Sequence, residues 1–270
     1  MNVGKRHRIL VTGAGGRVGD FIIPDLQRDY DLVLTDANVP DGQQGTIAPL
    51  DLLDFDAVVE SCRGIDQVIH LAIASKRMLR HLEKQEYAEE VMRVNVMGTQ
   101  HVFEAAVAAG VKRVIYFSSM TVVLGEPRYR RIEHGTSPRP NGLYACTKLF
   151  GEHLANHYVR TCGISAICIR LGQPVPVPEI PYGAPRLRQS GSLSGVYCDF
   201  SDIILGVRCA LSAENIEYKI FNLVSGSHDG NVDLSAGKEI GYWPCKYFTE
   251  DGLVTDNPET PGSRGFPGSS

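Results

Sequence analysis

Tyr144 and Lys148 stand four residues apart in a stretch whose apolar spacing predicts a helix, so their side chains emerge on one face, one turn from each other. A phenol can act as a general base only if its pKa falls from about 10 towards neutrality, a shift that a nearby ammonium together with a cationic nicotinamide ring can produce. Upstream, Thr12-Gly13-Ala14-Gly15-Gly16-Arg17-Val18-Gly19 follows a strand-like run and opens a helical pattern, the context in which glycines cradle a pyrophosphate at a helix N-terminus. Gly13 permits the tight turn, Gly16 lets the backbone approach phosphate, and Gly19 allows close packing of helix on strand. Asp36 closes the second strand-like run; a carboxylate there bonds ribose hydroxyls and repels a 2′-phosphate, which selects NAD over NADP. Arg17 could meet such a phosphate instead. Asp51 can reach an adenine amino group or cap a helix. With the hydroxyls of Ser118-Ser119 at the end of a further strand, these groups could move hydride between a carbinol carbon and NAD.

The elements that must position them alternate. Apolar, β-branched runs at Arg8–Thr12, Asp31–Thr35, Gln67–Leu71, Arg113–Phe117 and Ser165–Arg170 predict strands covered on both faces. Between them, three- and four-residue apolar spacing predicts helices near Gly16–Arg28, Asp54–Ser61, Glu86–Ala109 and Leu143–Thr161. This order specifies an α/β chain, a Rossmann-type doubly wound parallel sheet with a small C-terminal substrate-binding part. We expect residues 1–172 to form the NAD-binding core, 173–257 a small substrate-binding region interleaved with it, and 258–270, rich in Pro, Gly and Ser, a disordered tail. The Pro-rich stretch from Gln173 to Gly195 predicts a functional loop; Arg186 and Arg188 within it could clamp an anionic substrate group or simply be solvated. A helix at Asp202–Ser212, a strand at Ile220–Leu223 and a helix at Leu234–Gly241 follow.

The net charge of −4 over 270 residues gives no basic footprint for nucleic acid. No apolar run reaches the roughly 20 residues that span a bilayer, and the N-terminal apolar residues sit in a strand-like run, so a cytoplasmic protein is expected. Seven cysteines without a C-x-x-C pair read as reduced thiols. His153 and His157 share a helix face, but no third ligand follows at metal spacing, and no metal is expected.

From residue 8 to about 250 the chain resembles the extended short-chain dehydrogenase/reductase family, the NAD-dependent epimerases and dehydratases. The matching residues are Gly13 to Gly19, Asp51-Leu52, His70-Leu71-Ala72, Asn95-Val96-Met97-Gly98-Thr99, Ser118-Ser119, Tyr144-Ala145-Cys146-Thr147-Lys148, Arg170-Leu171-Gly172 and Tyr197-Cys198-Asp199-Phe200-Ser201-Asp202. The resemblance implies bound NAD, with Leu52, Leu71, Ala72, Asn95 and Ser118 joining Gly13, Gly15, Gly16, Arg17, Val18, Gly19, Asp36, Asp51, Tyr144 and Lys148 around it. It also implies a homodimer built on the Glu86–Ala109 and Leu143–Thr161 helices. Arg139-Pro140-Asn141-Gly142-Leu143-Tyr144, followed by Phe150-Gly151-Glu152, is similar to the uronate dehydrogenases, which oxidise the anomeric carbon of a free hexuronate. That likeness points to a small sugar or sugar acid as substrate and nominates Ser75 for contact with it. Ser75-Lys76-Arg77 and Arg80 could equally be solvated surface.

One position departs from the family. The catalytic Ser or Thr usually stands five residues before the glycine that matches Gly125, and Met120 occupies that place at the edge of the substrate site. A thioether donates no hydrogen bond, so Ser119 or Thr121 must take the role. The expected reaction is oxidation of a sugar or sugar-acid hydroxyl by NAD, with Tyr144 as base. Alternatives are a sugar-nucleotide epimerase using the same groups, or a non-catalytic NAD-binding sensor, which Met120 would suit.

Overall fold

The computed structural model describes residues 6–74, 81–125, 131–133, 135–175, 196–227, 230–249 and 254–257. Its centre is a seven-stranded sheet of β1 (Arg8–Thr12), β2 (Asp31–Asp36), β3 (Ala48–Pro49), β4 (Gln67–His70), β5 (Arg113–Ser119), β6 (Ser165–Leu171) and β9 (Tyr218–Leu223). The spatial order is β3-β2-β1-β4-β5-β6-β9, and every pairing is parallel. The chain winds outward from β1 to β3, then returns to place β4 on the other side of β1. That reversal leaves a crevice between the carboxyl ends of β1 and β4, where ligands of such sheets bind.

Alternation along the strands divides the apolar residues between two cores, because successive side chains point to opposite faces. Ile9, Val11, Ile69, Ile115, Phe117, Ile167 and Ile169 face one core, closed by α1 (Arg17–Leu26) and α6 (Phe200–Ser212). Leu10, Val68, Val114, Tyr116, Ala166 and Cys168 face the other, closed by α2 (Phe55–Cys62), α4 (Thr99–Ala108) and α5 (Leu143–Cys162). Gly151 of α5 lies against the Tyr116 ring so closely that a Cβ would overlap it.

The helix expected over Glu86–Ala109 is one column with a break in its ladder. α3 (Lys84–Met92) passes into a π-helical segment, Arg93–Gly98, before α4 begins. Such widened turns are frequent at functional sites, and Asn95 stands inside this one. The small strands β7 (Gln173–Val175) and β8 (Tyr197–Asp199) pair with each other. The strands β10 (Gly226–Ser227), β11 (Lys246–Phe248) and β12 (Val254–Asp256) form a third sheet. The expected last helix is shorter, α7 (Ser235–Lys238). All seven cysteines are free thiols. Among the described residues no helix is long and apolar enough to cross a membrane.

Candidate active site

The glycine segment forms the turn from β1 into α1. Gly13 has φ +74°, a left-handed conformation that glycine adopts without steric cost, and its Cα lies against the backbone of Ala72. Gly19 lies equally close to the Ala14 carbonyl. Gly16, exposed, caps α1 with no side-chain hydrogen bond, so the first N–H groups of the helix remain available to an anion. Val18 packs on the first core. The Arg17 guanidinium lies over the Phe200 ring, 5.6 Å from its centroid.

Asp36 closes the turn from the other side. Its Oδ2 accepts from Gly15 N–H at 3.0 Å and its Oδ1 from Asn38 N–H at 2.9 Å. Each oxygen keeps a further lone pair for an incoming hydroxyl. Asp51 does not cap α2; Asp54 does, through Ala57 N–H, while Asp51 Oδ1 accepts from Leu53 N–H at 2.9 Å. Leu52 is buried, and its carbonyl accepts a bond from His101 at 2.8 Å. Thr12, Gly13, Gly16, Asp36, Asp51 and Leu52 line one side of a crevice of about 450 Å³, and Leu71 to Ala74 run along it from the end of β4.

Asn95, 1% exposed, ties this crevice to α5. Its Oδ1 accepts from Ala74 N–H at 2.7 Å, and its Nδ2 donates to the Ala74 carbonyl at 3.0 Å and to Thr147 Oγ1 at 3.2 Å. The side chain is spent on the protein, and what Asn95 brings to the crevice is the backbone of Ala74. A buried polar column, Thr12, His70 and Thr99, runs beneath (2.7 and 3.1 Å). Burial, with the Lys148 charge nearby, drives His70 down to about 3, so the imidazole is neutral.

Tyr144 and Lys148 project from the first turns of α5. Lys148 is 2% exposed; its ammonium lies 4.9 Å from the Tyr116 ring centroid and 5.9 Å from that of Tyr144. Among the described residues it makes no hydrogen bond. Burial lowers its pKa to about 7. Burial pushes the Tyr144 phenol the opposite way, to about 12, with Tyr87 contributing. Lys148 alone does not bring the phenol down; the expected lowering also calls for a cationic nicotinamide ring beside it. Desolvation outweighs the ammonium, whose own charge is weakened by the same burial.

Ser119 ends β5, and its Oγ accepts from Thr121 N–H at 3.2 Å and from the Thr121 hydroxyl at 2.9 Å. With both lone pairs engaged, the Ser119 proton is free to be donated elsewhere. Thr121 O and Val122 O receive Asn141 N–H and Arg139 N–H, which fastens this turn to the segment leading into α5. The expectation that Met120 borders the substrate is corrected: it is 1% exposed and packs with Val122, Val196, Val224 and Val232. Ser118 is also turned away. Its hydroxyl donates to Glu152 at 2.6 Å, leaving only its backbone to meet a cofactor. Ser75, Lys76, Arg77, Arg80, Arg186, Arg188 and the 258–270 tail lie outside the described residues.

The sequence reading passed over Thr12, Thr147, Glu152 and Arg170 as chemical residues. For Thr12 and Arg170 a signal was present, since a hydroxyl or a guanidinium inside a strand that otherwise reads apolar needs a buried partner; Thr147 and Glu152, on α5, carried no such signal.

A dinucleotide fits what is here. The uncapped start of α1 would receive its phosphates, Asp36 a ribose, and the unspent donors of Lys148 a second ribose.

The chain is similar to several known proteins over most of its length. Uronate dehydrogenase of Pseudomonas syringae pv. tomato is 30% identical over 243 residues, covering 88% of this chain and 82% of its own. L-arabinose 1-dehydrogenase (NAD(P)(+)) of Haloferax volcanii is 29% identical, covering 88% and 96%. The crystal structure of uronate dehydrogenase from Agrobacterium tumefaciens superposes with a TM-score of 0.76 at 26% identity, covering 90% and 85%. A mutant of that enzyme complexed with NAD gives the same score. The family described as NAD dependent epimerase/dehydratase matches residues 9–176, and this chain belongs to it.

Proposed function

We propose that the protein is an NAD-dependent dehydrogenase that oxidises a hydroxyl of a small sugar or sugar acid. The observation that carries this reading is Lys148, a buried ammonium without a hydrogen bond among the described residues, one turn from Tyr144 on the helix that Asn95 ties to the crevice. Unpaired buried ions of this kind mark functional sites. When bound, NAD supplies the hydride acceptor. Tyr144 takes the hydroxyl proton as the carbon–hydrogen bond gives up its electron pair, leaving a carbonyl. Lys148 binds the nicotinamide ribose and supplies positive charge beside Tyr144, whose loss of a proton at neutral pH needs more cationic surroundings than the protein alone provides. Ser119, polarised by Thr121, donates to the reacting oxygen. Asp36 favours NAD over NADP.

The small sheets of the C-terminal third, with Ser75, Arg186 and Arg188, are proposed to hold the sugar. Two copies are proposed to pair through the Glu86–Ala109 and Leu143–Thr161 helices, where Met97 and Phe150 are 51% and 38% exposed. A cytoplasmic setting suits the free thiols.

The test is NADH formation from NAD with a panel of free aldoses, hexuronates and sugar nucleotides, beside Tyr144→Phe. Turnover of a free sugar that falls by about 10²–10⁴-fold in the variant supports the reading. Interconversion of sugar nucleotides without net NADH would replace it with an epimerase, and NAD binding without any turnover would replace it with a sensor.

A further inference from the structure

One turn beyond Lys148, α5 carries a second buried ion, which the chemistry above leaves unused. Glu152 is 2% exposed and Arg170, on β6, is 6% exposed. They form a two-pronged pair, Arg170 Nε to Glu152 Oε1 at 2.9 Å and Arg170 Nη2 to Oε2 at 2.8 Å. Ser118 donates to the same Oε1 at 2.6 Å, and the Tyr218 hydroxyl of β9 donates to the Glu152 carbonyl at 2.9 Å.

Stability alone is a weak reason for such a pair, since well-packed apolar residues often serve as well. Its connections suggest another. Ser118 and Arg170 face each other in the register of β5 and β6, and Ser118 immediately precedes Ser119. Glu152 therefore brackets the strand that ends in the Ser119–Thr121 hydroxyl pair to the helix that carries Tyr144 and Lys148.

We propose that Glu152 and Arg170, acting through Ser118, are positioning residues that hold the Ser119 hydroxyl in reach of the oxygen whose proton Tyr144 removes. This rests on the dehydrogenase reading above.

Three variants test it. Ser118→Ala removes one hydrogen bond and leaves the ion pair. Ser118→Thr keeps the hydroxyl. Tyr218→Phe removes a hydrogen bond to the same glutamate from a strand that carries none of the reacting groups. For each, kcat, KM for the sugar, Kd for NAD and Tm are measured. Misplacing a reacting group by about 1 Å can cost up to about 10²-fold. Ser118→Ala is therefore expected to lower kcat by about 10–100-fold with Kd for NAD unchanged. Ser118→Thr should restore most of that loss, and Tyr218→Phe should lower Tm while leaving kcat intact.

Unchanged kcat in Ser118→Ala overturns the proposal, as does an equal loss in Ser118→Ala and Tyr218→Phe. Weaker NAD binding at intact kcat in Ser118→Ala also overturns it, by assigning the hydroxyl to the cofactor. If the unsubstituted protein turns over no sugar, the dehydrogenase reading fails and this proposal with it; turnover by that protein and fully active Ser118→Ala fails the proposal alone.

Discussion

Lys148 and Glu152 are two buried ions one turn apart on the same helix, and they are treated in opposite ways. Glu152 has its two oxygens filled by three donors. Lys148 has two aromatic rings near it and no hydrogen bond among the described residues. The burial is the same for both; the partners differ. A charge whose bonds are complete fixes the fold, while a charge whose bonds are left open favours whatever can complete them. The open charge shares the first turns of α5 with Tyr144, and the filled one follows a turn later.

The contrast can be broken most strongly at its open member. Lys148→Met is expected to lower kcat/KM by about 10³-fold or more, measured as NADH formation, while raising stability at pH 7 by roughly 1–3 kcal/mol because an unpaired buried cation is removed. The pH dependence follows from the direction of the shift. With a folded pKa of about 7 against the ordinary lysine value of 10.5, the unfolded chain binds more protons between those values. Stability from this group is therefore complete above about 10.5 and is lost as pH falls towards about 7. Urea midpoints across that range should show this slope in the unsubstituted protein and its loss in Lys148→Met. A variant that is both inactive and less stable at pH 7 would contradict the contrast.

At the closed member the sign of the stability change reverses. Glu152→Leu leaves Arg170 buried without its carboxylate, and a loss of about 3–5 kcal/mol is expected in denaturant unfolding. A milder third case sharpens the comparison. Asp202 is fully buried; its Oδ1 accepts Cys245 N–H at 2.6 Å and its Oδ2 accepts the Ser225 hydroxyl. Desolvation, against those bonds, raises its pKa to about 6. For a carboxyl shifted upward, stability is complete below its unfolded value of about 4 and is lost as pH rises through about 6. Asp202→Asn should flatten that part of the profile, changing Tm by a few degrees at most. The slope runs opposite to that of Lys148, so one pH series separates them.

Much of this was legible in the residues. The five strands read from apolar runs are all in the sheet, because parallel strands buried on both faces carry an uninterrupted signal. The Gly13–Gly19 turn and the Tyr144–Lys148 spacing were equally plain, since each depends on local geometry. What escaped depends on neighbours distant in sequence. The π-helical segment at Arg93–Gly98 leaves the apolar spacing almost unchanged and shows itself only when Asn95 meets Ala74. The strands β7, β8, β10, β11 and β12 are two or three residues long, too short for an alternation to register. Met120 could be seen as out of place chemically, but its apolar neighbours come from positions as far off as Val224 and Val232. The direction of the Tyr144 shift required knowing how deeply the phenol lies.

Gly151 sets a dimension. Because the helix rests on the Tyr116 ring with no side chain between them, the height of α5 above the sheet equals the thickness of bare backbone on an aromatic face. Any residue larger than glycine would be a shim under the middle of the helix, and the tilt would be delivered at its ends, where Tyr144 stands. Reach, and with it the size of sugar that can be oxidised, would then be adjustable from beneath the site, without touching a group that meets the substrate.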